Sequence, residues 1–99
     1  MTSDDGAPDP LSELSACRAD IERIDRQIVA LLAGRVALGR RTATLKRAAG
    51  LPILDPQREA EVIRRAVGAA REHGLPVEPV RELFWHVVGL SRRAQEQAQ

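Results

Sequence analysis

The stretch LSELSACRADIERIDRQIVALLAGRVALGRRTATLKRAAG, residues 11–50, decides the fold. Apolar or small side chains recur at 14, 17, 21, 24, 28, 31, 38, 45 and 49, in steps of three and four. Arg35 and Thr42 fill the two remaining places of the same series. That spacing is one face of a helix. No proline interrupts it, and Gly50 and Pro52 end it. A helix over about residues 11–49 is roughly 58 Å long. A compact domain of 100 residues has a radius of gyration of about 13 Å. The helix therefore overhangs any globule its own chain can form, and its near-heptad stripe needs cover. The simplest cover is a second copy, long helix against long helix, which predicts an obligate homodimer. The competing reading breaks the helix at Gly34 or Gly39 and folds it back on itself.

Working outward, Asp55-Pro56 reads as the N-cap and first position of a second helix running to about His73. A third helix starts near Glu78-Pro79 and continues almost to the end, with an inner stripe of Val80, Phe84, Val87, Val88, Ser91 and Gln95. No segment reads as a strand. The expected fold is all-α, with three helices and a very long first one. Residues 1–10, polar with two prolines and a glycine, are expected to be a tail, and residues 11–99 one domain.

The net charge is +1, with 43% hydrophobic and 29% charged residues, so no global pull toward nucleic acid or membrane exists. The local balance differs. From Arg26 to Leu54 there is no acid, but there are Arg26, Arg35, Arg40, Arg41, Lys46 and Arg47. A single cysteine, Cys17, excludes an intrachain disulfide and a cysteine metal cluster. His73 and His86 make no convincing metal pair. MTSDDGAPDP lacks the basic and apolar regions of a secretion signal, and no apolar run nears 18 residues, so the cytoplasm is expected.

Each helix carries polar residues where packing favours apolar ones. Arg35 stands in the first stripe, and a buried arginine needs an anion. Lys46 follows eleven residues later, three turns plus about 20°, so both share a face roughly 16 Å apart and can converge on one small ligand. The plainer reading pairs Arg35 with a carboxylate in the dimer seam and leaves Lys46 solvated. On the second helix, Glu59 lies at the inner N-terminal end, in line with Ile63, Ala66, Val67 and Ala70. An acid there suits the helix dipole; Arg58 beside it does not. Ser91 and Gln95 sit one turn apart on the third stripe, as a packing hydrogen bond or as ligand contacts. Arg18 is roughly 25 Å from Arg35 along the same helix. Either it is an ordinary surface arginine, or it joins the same site from the partner chain of a dimer, giving two equivalent sites. Taken together, Arg18, Arg35, Lys46, Arg58, Glu59, Ser91 and Gln95 suit a small dianion carrying a hydroxyl. No nucleophile with an adjacent base and no metal ligands accompany them. The chemistry they suggest is electrostatic and positional.

In the order SACRADIERIDRQIVALLAGR, RTATLKRAAGLPILDPQRE and FWHVVGLSRRAQ, the chain resembles the all-helical (AroQ-type) chorismate mutases from about Leu11 to Gln97. The resemblance implies an intertwined all-α homodimer that converts chorismate to prephenate by a [3,3] rearrangement, with no cofactor, on the route to phenylalanine and tyrosine. It implies Arg18 of the partner and Arg35 on the substrate carboxylates, with Arg58 and Ser91 assisting. Lys46 and Gln95 would donate to the ether oxygen. Glu59 would take the substrate hydroxyl, helped by the backbone near Asp55. Leu54 departs from the pattern where relatives often carry a basic residue, and Gly89 and Leu90 where they are often acidic.

Other readings compete. An aminodeoxychorismate mutase or an isochorismate-pyruvate lyase would share the cation clamps but is expected to alter the Asp55-x-x-Arg58-Glu59 segment, which is intact. A nucleic-acid-binding helical dimer would put its cations on an exposed face with aromatics for stacking, whereas Arg35 lies on the seam and Phe84 and Trp85 are the only aromatics. A pure dimerisation module predicts that Arg35→Ala is neutral or stabilising.

Overall fold

The computed structural model describes residues 9–97. They form three helices: α1 over Pro10–Ala48, α2 over Pro56–Glu72 and α3 over Val77–Gln97. Among these residues there is no strand. α1 is a single helix of 39 residues, unbroken at Gly34 and Gly39. The expected tail, residues 1–10, lies outside the described residues as far as residue 8.

The starts and stops of the helices are local and strong. α1 begins one residue before the expected Leu11, because Asp9 caps it: its carboxylate accepts from Leu11 N–H at 3.3 Å and from the Ser12 hydroxyl at 3.3 Å. Asp55 does the same for α2, accepting from Arg58 N–H at 3.0 Å, with Pro56 at the first helical position. Just beyond the last residue of both α1 and α2 comes the tripeptide Gly-Leu-Pro. Gly50 and Gly74 take φ of +72° and +68°, a conformation open to glycine at little cost. In each case the leucine N–H returns to a carbonyl five residues back, Leu51 to Lys46 and Leu75 to Ala70, both at 2.8 Å. That is the Schellman closure, which satisfies otherwise orphaned carbonyls.

The chain divides into two units, one ending at Leu31 and one comprising Leu32–Gln99. The described part of the first is α1 and its cap, Asp9. Its large apolar side chains are exposed, among them Leu14, Ile21, Ile24, Ile28 and Leu31, the last at 74%. The second unit holds the core: Ala43, Ile63, Ala66, Val67, Ala70, Val88 and Ala94 are buried, together with the hydroxyl residue Ser91. Of the stripe expected of α2, Ile63, Ala66, Val67 and Ala70 are buried and Glu59 is half-buried; of that expected of α3, Val88 and Ser91 are buried, while Val80, Phe84, Val87 and Gln95 are half-buried.

For α1 the structure adds a second face. Within the second unit, Leu38 and Leu45 of the expected stripe are exposed at 65% and 56%. The side turned inward runs instead through Leu32, Arg35, Val36, Gly39, Ala43 and Lys46, with Ala43 fully buried. Small residues make this contact: a Cβ on Gly39 would sit 3.8 Å from Ser91 Cβ and 3.3 Å from Gln95 Nε2. α3 therefore approaches the α1 backbone closely there. No described helix is long and apolar enough to cross a membrane.

Candidate active site

A cavity of about 320 Å³ opens in the second unit, within the range of small-molecule sites. Three helices and one loop build it. α1 contributes Arg35, Leu38, Gly39, Thr42 and Lys46; the loop before α2 contributes Ile53, Leu54 and Asp55. The first turns of α2 contribute Arg58, Glu59 and Val62, and α3 contributes Val88, Ser91, Arg92 and Gln95. Seven residues singled out in the sequence thus line one cavity: Arg35, Lys46, Asp55, Arg58, Glu59, Ser91 and Gln95. Arg18 does not line it; it belongs to the first unit, where it is exposed.

The polar walls are held in place by one another. Arg35 donates from Nη1 to Ser91 Oγ at 2.5 Å, which joins α1 to α3 and gives the buried Ser91 hydroxyl its partner. Lys46 donates from Nζ to the Ile53 carbonyl at 3.2 Å, tying the loop before α2 to α1. This leaves two further Nζ donors. Asp55 is occupied as a helix cap. Arg58, exposed, turns its Nη1 to Glu61 Oε1 at 3.1 Å. It lines the cavity with its guanidinium directed along α2.

Glu59 is half-buried and carries a partner that sequence reasoning missed. Arg92 meets it with two parallel bonds, Nε to Oε2 at 3.0 Å and Nη2 to Oε1 at 2.5 Å. Hydrogen bonding to Glu59 and its negative charge raise the Arg92 guanidinium above its ordinary value, against the loss of solvent; Glu96 adds to the rise. The signal was present in the spacing: Arg92 follows Val88 by four and so shares the inner face of α3. Thr42, the other polar residue missed, turns its hydroxyl to the Leu38 carbonyl at 2.9 Å and presents only its body.

The wall thus holds four cationic side chains, Arg35, Lys46, Arg58 and Arg92, against two carboxylates, Asp55 and Glu59. A small dianion fits that balance. Gln95 and Ser91 add neutral polar groups, and Leu38, Ile53, Leu54, Val62 and Val88 the apolar remainder.

Residues 17–96 match the family described as chorismate mutase type II. A chorismate mutase of Methanocaldococcus jannaschii is 29% identical over 87 residues, 88% of each chain. A bifunctional chorismate mutase/prephenate dehydratase of Aquifex aeolicus is 37% identical over 62 residues, 63% of this chain but 17% of that protein. A T-protein of Enterobacter agglomerans is 31% identical over 78 residues, 79% of this chain and 21% of the relative. The chain thus matches most of the first relative and about a fifth of the other two. With its three helices, its long α1 and its match over residues 17–96, the chain belongs to the type II chorismate mutases, a family of isomerases.

Proposed function

We propose that this cavity binds chorismate and rearranges it to prephenate by holding and polarising it, without a covalent intermediate. The observation that carries the reading is the grouping of Arg35, Lys46, Glu59, Ser91 and Gln95 around one cavity of substrate size. The reaction is unimolecular, so the ether side chain must be held over the ring in its reactive fold. Arg35, steadied by Ser91, clamps a carboxylate, and Arg58 swings from Glu61 to assist. Negative charge grows on the ether oxygen as its C–O bond breaks. Lys46 and Gln95 donate to that oxygen, and the loss of one such donor costs about 10²–10³ in rate. Glu59 accepts the ring hydroxyl, with the backbone near Asp55 alongside. No cofactor and no metal enters this scheme.

The second carboxylate calls for one more cation, and we assign it to Arg18 of a partner chain in a homodimer. Supporting this is the exposed apolar face of residues 9–31, where Ile21, Ile24 and Ile28 stand at 57%, 49% and 49% exposure. Such a face is costly in water and suits a second copy. One domain over residues 11–99 acts in the cytoplasm, where the exposed free thiol of Cys17 stays reduced. The product enters the synthesis of phenylalanine and tyrosine.

The purified protein, given chorismate, isochorismate and aminodeoxychorismate separately, is expected to consume chorismate with prephenate appearing in equal amount. Chorismate disappearing without prephenate sinks the reading. Release of pyruvate from isochorismate as the fastest reaction supports the lyase instead.

A further inference from the structure

Glu59 shares the cavity wall with a cation fixed to it. Arg92 lies side-on against the carboxylate, across the 33 residues that separate α2 from α3, and its guanidinium matches the carboxylate fork to fork. The pair is partly withdrawn from water, with the Glu59 side chain 20% exposed and that of Arg92 40%. Both residues line the cavity, so a bound molecule meets the pair and not an isolated carboxylate. The other charged walls are engaged elsewhere: Arg58 with Glu61, Asp55 with the α2 N-terminus, Arg35 with Ser91 and Lys46 with Ile53.

This pairing alters what Glu59 can accept. Two of its lone pairs point at Arg92; the remaining ones are free to take a proton donor from the cavity side. A neutral hydroxyl needs only that acceptor. A protonated amine at the same place needs a compensating negative charge, and Arg92 already neutralises it while adding a positive charge nearby. Like charges set side by side are how a site rejects a near-isostere.

We infer that Arg92 is a positioning residue that makes Glu59 select a ring hydroxyl over a ring amine, so that chorismate is preferred to aminodeoxychorismate. The inference rests on the reading of Glu59 as the group that faces the ring substituent. Arg92 acts through Glu59 and not on the breaking bond.

The test is a competition at pH 7 with chorismate and aminodeoxychorismate in one tube, so that the product ratio does not depend on the amount of folded enzyme. Arg92→Gln is expected to move the ratio of kcat/KM values toward the amine by roughly tenfold or more. Arg92→Lys, which keeps the charge and loses the fork, moves it less. Arg58→Gln removes a cation from the same wall whose partner is Glu61, and is expected to leave the ratio near that of the unaltered enzyme. The inference is overturned if Arg92→Gln leaves the ratio unchanged or abolishes turnover of both substrates. An equal shift with Arg58→Gln also overturns it, since overall charge is then the cause. An unaltered enzyme that does not turn over chorismate at all removes the proposed function itself, and this inference falls with it.

Discussion

Arg35 Nη1 and Ser91 Oγ lie 2.5 Å apart, across 56 residues of chain, and this bond fixes the direction of the central cation of the cavity. Ser91 is 7% exposed, so its hydroxyl has no water to fall back on. A hydrogen bond to a charged group contributes about 1.5–3 kcal/mol. Arg35→Ala is expected to lower kcat/KM for chorismate by about 10² or more while helicity and dimer are retained. Ser91→Ala leaves the cation but frees its swing; KM is expected to rise by about tenfold with a smaller change in kcat. Steady-state kinetics of the two variants, with circular dichroism for folding, check both. Unchanged activity in Arg35→Ala removes Arg35 from the site; an unaltered chain without turnover, together with a raised Tm in Arg35→Ala, indicates a pure dimerisation module instead.

Gly39 separates activity from stability. An added Cβ meets the Gln95 amide nitrogen at 3.3 Å, and that nitrogen is the end of a flexible side chain that can yield. Alanine in place of glycine inside a helix contributes about 0.5–1 kcal/mol. Gly39→Ala is therefore expected to keep or raise Tm and to lower kcat several-fold, because the displaced amide is the proposed donor to the ether oxygen. A fall in Tm with kcat intact contradicts the assignment of Gln95.

Asp55 serves α2 through its side chain. Its carboxylate accepts from Arg58 N–H at 3.0 Å, and loss of such a cap costs about 0.5–2 kcal/mol. Asp55→Ala is expected to lower Tm by several degrees. Asp55→Asn, which keeps the acceptor, is expected to restore most of it. Activity should follow Tm only in part, because the cap also sets the start of the helix that carries Arg58 and Glu59. Thermal melts at fixed protein concentration measure the two effects.

What was legible in the sequence follows from how local each signal is. Asp55-Pro56, Gly50 with φ of +72° and the regular recurrence of large apolar residues act within one or two turns, so the three helices could be read directly. The polar residues on apolar stripes were legible for the same reason, since an arginine or serine in such a series breaks the pattern. The inner face of α1 was not, because Gly39 and Ala43 carry almost no hydrophobic side chain and their role is to let α3 approach. Arg92 escaped because it neighbours Ser91 in a run of two arginines that reads as solvated surface. Its partner Glu59 lies on another helix, and only the packing of α2 against α3 brings the two together.

The proposed homodimer makes the sharpest demand on Arg18. In a shared site, Arg18 comes from one chain and Lys46 from the other, so Arg18→Ala and Lys46→Ala homodimers each lack one group in both sites. A mixed dimer concentrates both lesions in one site and leaves the other intact. Co-folding equal amounts of the two inactive variants is expected to recover about a quarter of the unaltered specific activity, half the dimers being mixed with one working site each. Combining both substitutions in one chain and co-folding it with the unaltered chain separates this from simple repair of folding, since mixed dimers then carry one lesion in each site and are inactive. If the first mixture stays inactive while mixed dimers form, Arg18 serves its own chain or none, and the second carboxylate must be held by Arg58 or Arg92.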